Sequence, residues 1–158
     1  MTPPDPGRIL IVGADARAHA LAWILGRSPS VTRIDVAPGN GGTATEPKAR
    51  NVPIGVMDFD ALVAHALAEG IGLTVISPED PLAAGIVDRF RAAGLTVFGP
   101  TAAAARLESS KAWARAFMVR HRIPSPDFAV ARDLTTAEAA IRRMGGRSGG
   151  RGDAAVGW

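Results

Sequence analysis

Arg8-Ile9-Leu10-Ile11-Val12-Gly13 is a short apolar run closed by glycine, and its reading decides the fold class. A run this short, with no polar residue after the arginine, has the pattern of a parallel strand buried on both faces that turns into a helix. The helix is expected over about residues 16–26. Val31-Thr32-Arg33-Ile34-Asp35-Val36-Ala37 alternates at period two and reads as a second strand. It closes on Pro38-Gly39-Asn40-Gly41-Gly42, which is too glycine-rich for regular structure. After a short extended piece at Asn51-Val52-Pro53-Ile54, Asp58 is placed to cap a helix. Phe59, Leu62, Val63, Ala66 and Leu67 fall at helical spacing along it, and Gly70 ends it.

The alternation continues. Leu73-Thr74-Val75-Ile76 reads as a strand, Ser77-Pro78-Glu79-Asp80-Pro81 as a loop, and Leu82, Ile86, Val87 and Phe90 as the apolar face of a helix ending at Gly94. Leu95-Thr96-Val97-Phe98 supplies another strand, stopped by Gly99-Pro100-Thr101. Strands alternating with helices in this way predict an α/β fold, a Rossmann-like doubly wound parallel sheet whose ligands sit at the carboxyl ends of the strands. The loops after Val12, Ala37, Ile76 and Phe98 are therefore expected along one rim.

Residues 1–105 read as this sheet domain, and residues 106–144 as a second, helical segment. Ser109 or Ser110 caps a helix over 111–121 with Trp113, Phe117 and Met118 on its apolar face, and Pro124 and Pro126 break it. A short extended piece, Phe128-Ala129-Val130, precedes Thr135 and Glu138, which have capping-box spacing for a helix reaching about Met144. From 145 to 158 glycine, arginine and serine replace any hydrophobic period, which predicts a disordered tail. Its Arg151-Gly152-Asp153 reads as a chance tripeptide rather than an adhesion motif.

Composition narrows the function classes. The 158 residues are 47% hydrophobic and 21% charged, with a net charge of +3 and no cysteine. That excludes a disulfide scaffold, a thiolate zinc site and a cysteine nucleophile together. The start is proline-rich rather than leader-like, and no apolar run suggests a membrane span, so a soluble, cytoplasmic protein without membrane partners is expected. Basic residues exceed acidic ones only after Arg106, and they are not interleaved with aromatic side chains, which speaks against nucleic acid as a partner. The first loop lacks G-x-G-x-x-G spacing, which disfavours a dinucleotide dehydrogenase.

Four segments, in order and in register from about Arg8 to Met144, carry a resemblance to glycinamide ribonucleotide synthetases. Val12-Gly13-Ala14-Asp15-Ala16-Arg17-Ala18-His19-Ala20-Leu21 is similar to the opening loop and helix of that family. Val36-Ala37-Pro38-Gly39-Asn40-Gly41-Gly42-Thr43 resembles its second loop, and Pro78-Glu79-Asp80-Pro81-Leu82 its third. Phe98-Gly99-Pro100-Thr101, then Leu107-Glu108-Ser109-Ser110-Lys111, resembles the bridge from a pre-ATP-grasp domain into an ATP-grasp region. Asp15, Ala16 and Ala18 depart from the family pattern, which has two glycines and a glutamate there. An aspartate beside a helix amino terminus brings negative charge to an anion position, so Asp15 is expected to weaken phosphate binding at that loop.

The resemblance implies a purine-biosynthetic ligase. ATP phosphorylates the carboxylate of glycine, and the amine of phosphoribosylamine attacks the acyl phosphate to give glycinamide ribonucleotide, ADP and phosphate. ATP and magnesium are the implied cofactors, and glycine and phosphoribosylamine the implied small-molecule partners. Gly13, Arg17, Pro38, Gly39, Asn40, Gly41, Glu79 and Pro81 match substrate-binding positions, and Lys111 matches a lysine near the nucleotide phosphates. Read without the family, the glycines serve equally as tight turns, Glu79 as a loop carboxylate, and His19 as a partly buried histidine. The family's second lysine and its acidic magnesium ligands have no counterpart after Gly146. The chain is accordingly expected to be a truncated or frame-shifted product, inactive alone. The alternative is a non-catalytic module for a small phosphorylated ligand. Helix faces bearing Trp113 and Phe117 are expected to favour association.

Overall fold

The structure, a computed structural model, describes residues 3–145. Apart from Gly145, the expected tail lies outside the described residues. The chain divides into two compact units, the first ending at Ala105 and the second beginning at Arg106.

The first unit is a parallel five-stranded sheet. In chain order it contains β1 (Asp5–Gly13), α1 (Ala16–Gly26), β2 (Arg33–Pro38), β3 (Ala49–Asn51), α2 (Phe59–Ala68), β4 (Ile71–Ile76), α3 (Glu79–Ala83), α4 (Ile86–Ala92) and β5 (Val97–Phe98). A short 3-10 turn, Thr43–Thr45, lies between β2 and β3. The strand order is β3-β2-β1-β4-β5, and every pairing is parallel.

Alternation along β1 explains the two layers of helix. Ile9 and Ile11 point to one face, where they join Ala18 and Ala22 of α1 with Ile34 and Val36 of β2. Leu10 and Val12 point to the other, against Leu62 and Ala66 of α2 and Ile86, Val87 and Phe90 of α4. Both faces of a central strand are thus covered, which is why its sequence is continuously apolar. The doubly wound parallel sheet expected from the sequence is the fold observed.

Several local readings change. The segment read as a loop at residues 77–81 becomes helical from Glu79. Pro81 is buried within α3, in its first turn, where a missing N–H breaks no intrahelical bond. The strand expected over 95–98 forms only at Val97 and Phe98, its pairing with β4 covering just Thr74↔Val97 and Val75↔Phe98. The extended piece expected at 51–54 pairs instead as β3, two residues earlier in its start.

Thr74 is buried in β4 in register with Leu10, and its hydroxyl has no hydrogen-bond partner. An unpaired buried hydroxyl opposes folding, and valine has the same shape without it. Thr74→Val is expected to raise the unfolding free energy by up to about 1 kcal/mol, as measured by urea denaturation.

The second unit carries α6 (Lys111–Arg120) and α7 (Leu134–Arg143), and α5 (Ala102–Ser109) spans the division between the units. The Ser110 side chain accepts from the Trp113 amide and caps α6. Trp113 and Phe117 stack at 5.3 Å between centroids, and the Arg106 guanidinium lies 4.7 Å over the Trp113 ring. The capping box of α7 is not the pair Thr135 and Glu138. Asp133 is the cap, accepting from the Thr136 amide at 2.8 Å. A carboxylate at the cap supplies a stronger acceptor than a threonine hydroxyl two residues later.

Candidate functional site

In the strand order observed, the chain moves outward from β1 to β2 and β3, then returns to place β4 on the other side of β1. The carboxyl ends of β1 and β4 therefore flank a topological switch point, where open α/β sheets form their ligand crevice. Three loops meet there, following β1, β2 and β4.

Gly13 ends β1. A Cβ on it would lie 3.0 Å from the Cβ atoms of both Ala18 and Ser77, so α1 and the β4 loop approach closely only because residue 13 has no side chain. Asp15 caps α1: its Oδ1 accepts from the Ala18 amide at 2.9 Å and from the Ser77 hydroxyl at 2.9 Å. The Arg17 Nε donates to Asp15 Oδ2 at 2.7 Å. The two terminal nitrogens of Arg17 donate to the two oxygens of Glu79 at 2.7 and 3.0 Å. This is a bidentate pair that joins α1 to α3 at the carboxyl end of the sheet.

The β2 loop is tied in from the other side. Asn40 Nδ2 donates to the carbonyls of Ala14 and Asp15 at 3.0 and 3.2 Å. Its own shape is fixed by Thr43, whose amide donates to Asn40 Oδ1 at 3.0 Å and whose hydroxyl donates to Asn51 Oδ1 at 2.6 Å. Asn51 Nδ2 in turn donates to the Asn40 carbonyl at 2.8 Å. Gly39, at φ +75°, sits where a Cβ would overlap the Asn51 side chain, so glycine is required both for the turn and for the close approach. A Cβ on Gly42 would overlap the His19 ring, whereas Gly41 faces open space. Pro38, joined to Ala37 by a cis peptide bond, pairs with Gly13 at the sheet end.

The electrostatics follow from these contacts. The Arg17 guanidinium and a backbone amide draw the Glu79 carboxyl down to about 2. Burial alone would raise Asp15, but the Ala18 amide, Arg17 and Ser77 together hold it below the ordinary aspartate value. Arg17 is pushed up by Glu79 first and then by Asp15. All three groups are ionised at neutral pH, and two carboxylates face one guanidinium.

Of the residues singled out in the sequence, Gly13, Arg17, Pro38, Gly39, Asn40, Gly41 and Glu79 lie on these three loops or the helix starts beside them. Pro81 is buried. His19 pairs with Glu46 at 2.8 Å. Lys111 opens α6 in the second unit. Sequence reading missed the roles of Thr43, Asn51 and Ser77, polar residues in short connections or at the end of a three-residue strand, where no periodicity marks them. It also missed Asp35, a carboxylate fully buried in β2 beside Arg33, Arg50 and His65. The signal for Asp35 was available as a charge flanked by Ile34 and Val36 in a strand with a buried face.

Among the described residues no group of three or more His, Asp or Glu is placed to hold a metal ion, and no helix is long and apolar enough to cross a membrane.

Comparison with known proteins places the geometry in a family. Residues 7–108 match the family model described as phosphoribosylglycinamide synthetase, N domain. The phosphoribosylamine–glycine ligase of Xylella fastidiosa (strain 9a5c) is 53% identical over 138 residues, covering 87% of this chain and 32% of that protein. That of Chlorobaculum tepidum is 54% identical over 135 residues, covering 85% of this chain and 32% of that protein. The chain thus spans about a third of the length of these relatives. A solved structure, the biotin carboxylase domain of a single-chain bacterial carboxylase, superposes with a TM-score of 0.64 at 19% identity, over 92% of this chain and 35% of that one. That likeness concerns the fold. The match over residues 7–108, with the identity to these ligases, shows that the chain belongs to the phosphoribosylglycinamide synthetase N-domain family.

Proposed function

We propose that this chain supplies the phosphoribosyl-binding part of a phosphoribosylamine–glycine ligase, the cytoplasmic ATP-dependent enzyme that makes glycinamide ribonucleotide. The observation that carries the reading is the convergence of three polar loops at the switch point, cross-linked through Asn40, Asp15 and Ser77. Such cross-links hold backbone amides and side chains ready before a ligand arrives, so little ordering remains to be done on binding. Gly13, Arg17, Pro38, Gly39, Asn40, Gly41 and Glu79 form the substrate rim, with buried Pro81 fixing the start of α3. Lys111 is the residue offered toward nucleotide phosphates in the second unit.

The chain's own share is binding and orientation of the ribosyl substrate. Magnesium, when bound to the complete ligase, would neutralise charge on the transferring phosphoryl group. No step of that transfer is assigned to the described residues.

A paired measurement on the 158-residue chain tests the proposal. Calorimetric titration with ribose 5-phosphate is expected to show saturable binding. ADP release with ATP, magnesium, glycine and phosphoribosylamine is expected to stay at background. Absence of ribose 5-phosphate binding would remove the rim assignment, and substrate-dependent ADP release would show that these residues suffice for catalysis.

A further inference from the structure

The α1 helix begins at the switch point, and the amino end of a helix beside a crevice ordinarily offers its unpaired amides to an anion. Here that position is filled from within the chain. The Asp15 carboxylate accepts from the Ala18 amide, draws in the Ser77 hydroxyl, and takes the Nε–H of Arg17. The remaining reach of Arg17 is directed to both oxygens of Glu79. The Ala18 amide, the Ser77 hydroxyl and the Arg17 guanidinium are each already bonded to a carboxylate, and the trio of Asp15, Arg17 and Glu79 carries one net negative charge.

The same arrangement has acceptor capacity to spare. A carboxylate offers about four lone-pair positions. Asp15 Oδ2 accepts one hydrogen bond and the Glu79 oxygens accept one each from Arg17 with a backbone amide besides, and the side chains of Asp15 and Glu79 are 37% and 44% exposed. Groups that approach this spot favourably are therefore donors, namely hydroxyls and amines, rather than anions.

We infer that Asp15 is a specificity-determining residue of the rim: with Glu79 it makes the start of α1 a position for the hydroxyl- or amine-bearing end of a sugar-like ligand and turns a phosphoryl group away from it. The inference rests on the reading of these loops as a ligand rim, and it adds the end of the ligand that faces Asp15. A phosphorylated sugar then binds with its phosphate directed to another part of the rim.

The test compares the whole chain with Asp15→Asn and Asp15→Gly. Asparagine keeps a side-chain oxygen for the Ala18 amide, so α1 stays capped while the charge is removed, and glycine is nearly as good a cap. Each protein is titrated with ribose, ribose 5-phosphate and inorganic phosphate. The amide signals of Gly13 and Arg17 report binding at this rim, and thermal melting reports folding. Inorganic phosphate is expected to bind the variants about tenfold more tightly than the parent chain, and ribose about tenfold more weakly, the change produced by one charge-assisted hydrogen bond.

Unaltered phosphate and ribose affinities in Asp15→Asn would overturn the inference while ribose 5-phosphate binding by the parent chain leaves the rim reading standing. Tight inorganic phosphate binding at Gly13 and Arg17 in the parent chain would overturn it as well. A parent chain that binds neither ribose nor ribose 5-phosphate overturns the rim reading and the inference together.

Discussion

Asp35→Ala is expected to lower the unfolding free energy of this chain by about 3–5 kcal/mol, the cost of removing one partner from a buried ionic cluster. Asp35 lies on β2 with no exposed side-chain surface. Its Oδ1 is 2.7 Å from Arg50 Nε and 3.1 Å from Arg33 Nε. Its Oδ2 is 2.7 Å from His65 Nε2 and 3.1 Å from Arg50 Nη2. Glu69, one helical turn beyond His65, is 2.6 Å from Arg33 and 3.3 Å from Arg50. The carboxylate thereby fastens β3, an edge strand of three residues, and α2 to the centre of the sheet. Removing it leaves two guanidiniums together without their buried counter-charge, and Glu69, one third exposed, is left to balance both. Asp35→Asn, which retains an acceptor, is expected to cost less than alanine.

The same cluster gives a sign for the pH dependence. Burial opposes ionisation of Asp35, but hydrogen bonds from Arg50 and His65 and the charges of Arg33 and Arg50 hold its carboxyl below the ordinary aspartate value. A carboxyl depressed in the folded state contributes stability that is fully present above its unfolded value, about 3.9, and is lost as pH falls through the lower folded value. Unfolding free energies measured between pH 5 and pH 2 are thus expected to fall more steeply for the parent chain than for Asp35→Ala. Parallel slopes would show that Asp35 is not the group that couples protons to folding.

How much of this was legible in the sequence depends on whether the signal is periodic. β1 was legible because a central parallel strand is apolar on both faces, and its neighbours because each alternates or ends at a glycine. α2 was legible from its cap, Asp58, which accepts from the Ala61 amide at 3.2 Å, and from Leu62 and Ala66 on one face. α3 was hidden by Pro78 at its cap and Pro81 within it, since Pro81 looks like a breaker until it is known to lie in a first turn. α5 was hidden differently: Ala102-Ala103-Ala104-Ala105 has high helix propensity but no apolar stripe that marks a buried face.

At the site, the glycines announced the loops but not what holds them together. Gly39 could be read as a turn residue, whereas its second reason, the side chain of Asn51 twelve residues on, is a tertiary contact. Asp15 reads in the sequence only as a charge misplaced in a glycine loop, and in the structure it is the cap of α1. Its carboxylate satisfies the Ala18 amide and at the same time takes the Ser77 hydroxyl and the Nε–H of Arg17. Short polar side chains in connections acquire such roles from the strand order, and strand order is not written in any local window of sequence.

Phe90→Ala is expected to cost about 3–5 kcal/mol, because a fully buried ring is deleted from a close-packed face and the surrounding side chains collapse only partly into the space. Phe90 on α4 belongs to the cluster that joins Leu10, Val12, Leu62, Ile86 and Val87 under the sheet. For a unit of about 100 residues that loss corresponds to a fall of more than about 12 °C in Tm, readable by circular dichroism. Phe98 makes the contrast. It has the same side chain and stands only eight residues away, at the end of a two-residue strand, yet it is 70% exposed. Phe98→Ala is expected to change the unfolding free energy by no more than about 0.5 kcal/mol. Equal losses at the two positions would mean that the Phe98 ring is covered in solution and that the end of β5 packs against something. A large loss at Phe90 with almost none at Phe98 would locate the core on the α2 and α4 side of the sheet, the layer that supports β4 and the Ser77 end of the rim.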